Sequence, residues 1–384
     1  MPENLTGNMT VLSKQAFESA AAPDMTSGDA ADAFAAIPAR KFADVLARFA
    51  PEESTRENLV EGLCAGDPSR SRASMDKKVR GWLSGKYQPA ARADLLELCF
   101  LLKLSVEEAD AFLAMTGEEG IHWRDPRELA CAFALRKRMS WPETKELLNR
   151  VMPQGNLPAA EEIRRDIFTS AVRQEAAELE SEEELRQYLV ESREKLGEYH
   201  NRAFRQFTAF LSLLEQPQAV SADEEESFTI RRIVETYLDS RFPSGWDKKK
   251  LDEKRRGLLA GWPDEVTLSR MKTGKTDVNR KTLILLFLAT DGGDEITDDW
   301  QEDVYWDESD EESDADADFR SSCLRLNQML SSCGYRMLDP RNPFDWVVIY
   351  CMRVSSDPDA MEGLSERLSE MLDVLFSDAG PETE

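Results

Sequence analysis

Histidine is nearly absent from this sequence: His122 and His200 are the only two. Neither stands at a recognisable spacing from a serine, cysteine or carboxylate that would complete a catalytic set. A Gly-rich phosphate loop, a paired-histidine metal motif and a nucleophile elbow are also missing. No enzymatic activity, cofactor or metal is therefore expected. The six cysteines (Cys64, Cys99, Cys131, Cys323, Cys333, Cys351) are scattered and never in C-x-x-C spacing. That pattern predicts buried, reduced thiols in place of disulfides or a zinc site. No basic start followed by an apolar run marks a secretory signal. The longest apolar run, Leu283 to Ala289, is too short to cross a bilayer. A cytoplasmic location is expected, with no membrane partner. No segment alternates with period two, so no strand is predicted and the fold class is all-α.

What the chain does have is charge, unevenly spread. Its net charge is −26, with 41% hydrophobic and 32% charged residues, as suits a soluble chain with exposed helices. Residues 291–318 carry fifteen acidic side chains and no Lys or Arg; without them the remainder stands at −11. Such a run reads first as a solvated linker. Trp300, Val304, Tyr305 and Trp306 inside it suggest that it docks, and a carboxylate run tethered near a basic helix could compete with phosphates for it. Two stretches reverse the sign. Residues 68–92 hold seven basic residues against Asp76 alone, and residues 248–281 hold eleven basic against five acidic.

Both basic stretches fall on an element used twice. V-R-G-W-L-S-G-K (79–86) and L-S-R-M-K-T-G-K (268–275) each end a short helix with Gly-Lys, cross a polar loop and enter a leucine-rich helix (93–102 and 281–289). Further on, residues 116–129 align without gaps on residues 333–346. Gly117, Arg124 and Pro126 match Gly334, Arg341 and Pro343, and Glu128 faces Asp345. Two alignments in the same order indicate an internal duplication.

Residues 1–28 are polar and alanine-rich without a clear period, and are expected to be frayed or disordered. Residues 29–152 form the first helical domain. Within it Met75, Val79 and Trp82 share one face of a helix over 75–84, with Lys77, Arg80 and Ser84 opposite. Ser105 with Glu108, Asp125-Pro126 with Glu128, Ser140 with Glu143, and Asn342-Pro343 with Asp345 are helix starts. They explain the acid, proline and carboxylate of the R-[D/N]-P element without a ligand; Arg124 and Arg341 are assigned structural ion pairs. Residues 153–222 are expected to form long connecting helices, 158–179 and 182–215. Apolar spacing from Leu185 to Leu214 suggests a coiled-coil seam, which could also join two copies of the chain. Residues 223–384 complete the second domain, with the acidic insertion 291–318. Trp82, Trp123 and Trp346 are expected as core anchors.

The order short helix, Gly-Lys, polar loop, leucine-rich helix and capped helix resembles the Xre or lambda-repressor-like helix-turn-helix family, over about forty residues of each copy. Arg80-Gly-Trp82-Leu-Ser-Gly85-Lys86 sits where that family ends its recognition helix. Pro89 falls at its loop proline; Leu95, Leu98 and Leu102 match its fourth helix, and Leu104 to Glu108 opens its fifth. Leu268 to Lys275, Leu283 and Leu286 fill the same places in the second copy, where Val278 replaces the proline. The first copy departs from the family in having about ten residues (65–74) before the recognition helix. The resemblance implies a sequence-specific regulator bound to double-stranded DNA. Arg72, Ser74, Lys77 and Arg80 would face bases or phosphates, and Lys86 would reach the backbone. Arg270, Lys272 and Lys275 are the second copy's counterparts. The alternative is an acidic protein-interaction or adaptor protein built on degenerate helix-turn-helix domains that do not bind DNA.

Overall fold

A computed structural model describes residues 10–50, 56–67, 69–89, 91–116, 119–152, 169–192, 195–196, 201–215, 228–238, 251–292, 314–353 and 363–378. The described residues form helices and no strand, so the fold is all-α. In chain order the helices are α1 (Val11–Ala20), α2 (Ser27–Ala36), α3 (Phe42–Phe49), α4 (Arg56–Gly66), α5 (Arg72–Leu83), α6 (Arg92–Leu101) and α7 (Val106–Thr116). They continue as α8 (Pro126–Arg136), α9 (Trp141–Val151), α10 (Thr169–Glu178), α11 (Glu182–Glu191), α12 (Asn201–Glu215) and α13 (Ile230–Tyr237). The last six are α14 (Glu253–Leu259), α15 (Glu265–Lys272), α16 (Arg280–Ala289), α17 (Asp314–Ser332), α18 (Pro343–Met352) and α19 (Leu364–Leu375). The chain divides into two compact units. One comprises Arg40–Asn201 with Cys333–Arg336; the other comprises Met1–Ala39, Arg202–Ser332 and Met337–Glu384.

This division differs from the expected one. The segment expected to be frayed at 1–28 instead contains α1 and the start of α2, and residues up to Ala39 belong with the second half of the chain. The reason is a set of side chains that the N-terminal helices bury in that unit. Phe34 meets the Trp346 ring edge-on at 6.0 Å, Phe17 lies 6.1 Å from Phe319, and Lys254 Nζ donates to the Phe34 carbonyl at 3.1 Å. The 182–215 segment is also not one helix: α11 stops at Ser192, whose amide donates to the Tyr188 carbonyl, and α12 restarts at Asn201. Leu185, Leu189, Leu196, Phe207 and Leu211 are nonetheless all buried. The apolar spacing thus reports the buried faces of two separate helices, not a continuous seam. Of the expected helix over 158–179, residues 153–168 lie outside the described residues, as does most of the acidic stretch (293–313) with Trp300, Val304, Tyr305 and Trp306. The ends of that stretch are built into their unit: Asp291 accepts from the Leu364 amide at 2.9 Å, and Asp316 pairs with Arg353 at 2.5 Å.

In the Arg40–Asn201 unit the core gathers around α8. Leu129, Ala130, Cys131, Ala132, Phe133, Ala134 and Leu135 are all buried, so this helix is enclosed on every side. Its start is fixed locally: the Asp125 carboxylate accepts from the amides of Arg127 and Glu128, and Pro126 occupies N1, where no amide is needed. Trp82 is fully buried and Trp123 nearly so. In the other unit α18 is enclosed in the same manner, from Phe344 to Met352, with Asn342 as N-cap and Pro343 at N1.

Several bonds recur in both units at matching places. Gly85 and Gly274 adopt φ of 66° and 63°, conformations that side chains resist. Each closes its helix with one pair of bonds, Gly85 N to Trp82 O with Lys86 N to Gly81 O, and Gly274 N to Met271 O with Lys275 N to Arg270 O. Arg92, the first residue of α6, grips Glu128 through Nε and Nη2 at 2.9 and 2.8 Å. Arg280, the first residue of α16, grips Asp345 through Nη1 and Nη2 at 2.7 and 2.9 Å. Glu128 also accepts from the His122 amide and Asp345 from the Asp339 amide, both at 2.8 Å. Asp110 accepts from the Ile121 amide, and Asn327 from the Leu338 amide. The arginines of the R-[D/N]-P element do something else. Arg124 Nε donates to the Lys195 carbonyl and Arg341 Nε to the Pro38 carbonyl, each at 2.9 Å. The carboxylate of that element is held instead by Arg92 or Arg280, which no local pattern singles out.

Candidate nucleic-acid interface

Helices α4 and α5 pack closely, joined by residues 67–71. The connection is therefore five residues, not the ten expected from the apolar period, which begins only at Met75. Helix α5 starts earlier because the Ser71 hydroxyl accepts from the Ser74 amide at 3.2 Å and caps it. Arg72 becomes its first residue.

The connection is pinned from beneath. Arg70 Nη1 donates to the Leu63 carbonyl at 3.1 Å and to Glu97 Oε2 at 2.7 Å. Lys145 Nζ donates to the Gly66 carbonyl. A Cβ at Gly66 would lie 2.3 Å from Glu97 Oε1, so any larger residue here would have to displace the Glu97 carboxylate. Burial raises the Glu97 pKa against the pull of Arg70. Above, Arg56 Nε donates to Asp76 at 2.6 Å, tying the start of α4 to α5. This bond, with lesser help from Arg80 and Arg72, holds the Asp76 carboxyl below its ordinary pKa.

Met75, Val79 and Trp82 turn one face of α5 into the core. At 100° per residue the opposite face carries Ala73, Lys77, Arg80 and Ser84, all exposed. Lys77 and Lys86 make no ion pair with any described residue. Arg80 is bonded to Asp76 at 3.2 Å with 60% of its side chain exposed, and Arg72 lies 3.5 Å from Glu61. Ser74 serves the cap through its amide and is exposed beside that face. The five first-copy candidates thus lie on one helix and the loop after it. The fold adds two residues to them. Lys41, exposed at the start of α3, passes beside Gly85, where a Cβ would lie 3.1 Å from its Cδ. Tyr87 lies against α5 itself, its hydroxyl donating to the Lys77 carbonyl at 3.1 Å. No local sequence pattern brings Lys41 to this place. No family model, curated protein or solved structure matches this chain.

The second-copy candidates make a poorer surface. Lys272 is tied to Glu215 at the end of α12. Eight residues before its closing glycine, where α5 has Lys77, α15 has Val266, 64% exposed. Arg270 and Lys275 remain exposed, but Glu265 stands in the first turn between them and Asp264, the N-cap. Among the described residues no group of three or more His, Cys, Asp or Glu could hold a metal ion, and no helix is long and apolar enough to cross a membrane.

Proposed function

We propose that this chain is a DNA-binding regulator that reads duplex DNA with α4 and α5, related to the lambda-repressor-like helix-turn-helix family. The observation that carries the reading is the exposed face of α5, with Lys77, Arg80 and Ser84 in line and Lys86 and Lys41 at its end. A helix of this kind enters the major groove while flanking cations neutralise phosphates. The braced five-residue connection supports it, since a recognition helix must hold its angle to its partner. The recurring Gly-Lys closures and Arg–carboxylate grips support the companion reading that the two units are copies of one ancestral unit. On that reading the copies have diverged, and the first is the reader.

A second reading, an adaptor that captures another protein, is favoured by α15, where an exposed valine replaces a cation and Lys272 is neutralised. Fluorescence-anisotropy titration against random and selected duplexes at low and moderate salt separates the two. The regulator reading predicts binding that weakens steeply with salt. Stable capture of a protein with no duplex binding at either salt would favour the adaptor.

A further inference from the structure

Tyr87 occupies a place that only a glycine in α5 leaves open. A Cβ on Gly81 would lie 2.1 Å from Tyr87 Cζ and 2.4 Å from its Cε1 and Oη. The hydroxyl end of the ring therefore sits directly over Gly81, one turn from Lys77. Its hydroxyl is fixed at the Lys77 carbonyl, and 41% of the residue stays exposed. This arrangement costs α5 a helix-favouring residue, since glycine is a poorer helix former than alanine.

We infer that Tyr87 is a base-reading residue whose ring edge makes apolar contact with the 5-methyl group of a thymine in the major groove. This rests on the reading of α5 as the duplex-facing helix. Lys77 and Arg80 offer donors for acceptor oxygens and nitrogens, but their face has no apolar group larger than Ala73. The thymine methyl is the one base-edge feature in the major groove that is apolar. A ring held at two points loses little freedom on binding, so the favourable energy of touching the methyl is retained almost in full.

The test uses the full chain and a duplex enriched by it from a random pool. Thymines are then replaced one at a time by uracil, which removes only the methyl. The wild type should lose about fourfold in affinity at one position, the worth of about one buried methyl. Tyr87→Ala should be insensitive to that replacement, while Tyr87→Phe, which keeps the ring, should keep the sensitivity. Gly81→Ala should also lose the sensitivity, by displacing the ring, yet melt no lower than wild type because alanine favours the helix. A binding loss with a preserved melting temperature cannot be misfolding. If the wild type enriches and binds a duplex but no uracil replacement matters, or if Tyr87→Ala is as sensitive as wild type, the inference fails and the regulator reading stands. If the wild type binds no duplex, both fail.

Discussion

Replacing Asp345 by alanine would leave Arg280 buried with its main partner gone. The side chains are 2% and 0% exposed, and the two bonds are 2.7 and 2.9 Å long. Removing one member of such a pair strands the other charge, which typically costs about 3–5 kcal/mol. The Asp339 amide, bonded to the same carboxylate at 2.8 Å, would lose its acceptor as well. The Met337 carbonyl, 3.3 Å from Arg280 Nη2, is a longer contact than either bond that would be lost. Hydrogen exchange followed by mass spectrometry, read in peptides covering α16 and α18, gives the local opening free energy. A cost of about 3–5 kcal/mol corresponds to exchange faster by about 10²- to 10⁴-fold. Asp345→Asn, which keeps an acceptor oxygen, should cost less. Glu128→Ala should also cost less than Asp345→Ala, because Arg92 has 28% of its side chain open to water. A loss below about 1 kcal/mol for Asp345→Ala would refute the argument. It would mean that the helix junction is held by apolar packing alone, with the ion pair incidental.

Asp125→Ala removes the cap of α8 and should destabilise its unit by about 1 kcal/mol. Because Asp125 is engaged in capping α8 and is not one of the residues assigned to the duplex-facing surface, duplex affinity should change little once the protein is folded, and a denaturation curve beside a binding titration measures both. Glu97→Gln addresses pH. A carboxyl whose pKa is raised in the folded state binds its proton more tightly there than when unfolded. Its contribution is therefore full below the ordinary value of 4.5 and is lost as pH rises through the folded pKa. The stability difference between Glu97→Gln and wild type should shift in favour of the variant as pH rises from 4.5. A difference that moves the other way would contradict the assignment.

Local chemistry was legible in the sequence, and long-range partnership was not. Asp125 with Pro126, Asn342 with Pro343, and Ser140 with Glu143 announce helix starts within four residues, and all three cap as their spacing dictates. Gly85 and Gly274 could be placed because a helix closed by a left-handed residue favours glycine. The burial of Trp82, Trp123 and Trp346 followed from size and apolarity. Arg92 with Glu128 and Arg280 with Asp345 could not be paired, because nothing local distinguishes these arginines from solvated ones. Residues 1–28 read as frayed and 29–39 as part of the first domain, whereas Met1–Ala39 groups with the other unit, for a similar reason: Phe17 and Phe34 declare an apolar face but not what covers it. The start of α5 was missed because apolar period outweighed the Ser71 cap. At the interface, Lys77 and Arg80 were legible from helical periodicity, whereas Lys41 and the fixed pose of Tyr87 depend on how the chain returns.

The central claim is that the exposed face of α5 in the first unit, and not that of α15, meets DNA phosphates and bases. The slope of log affinity against log salt, measured by anisotropy on one selected duplex, tests it most directly. Lys77→Ala with Arg80→Ala should weaken binding and flatten that slope by up to about two units, roughly one for each phosphate no longer neutralised. Should one of the two read a base edge instead, the slope would change by about one unit and discrimination at that base would relax. Arg270→Ala with Lys275→Ala should change the slope less. An unaltered slope in the first double variant, or a larger change in the second, would contradict the account.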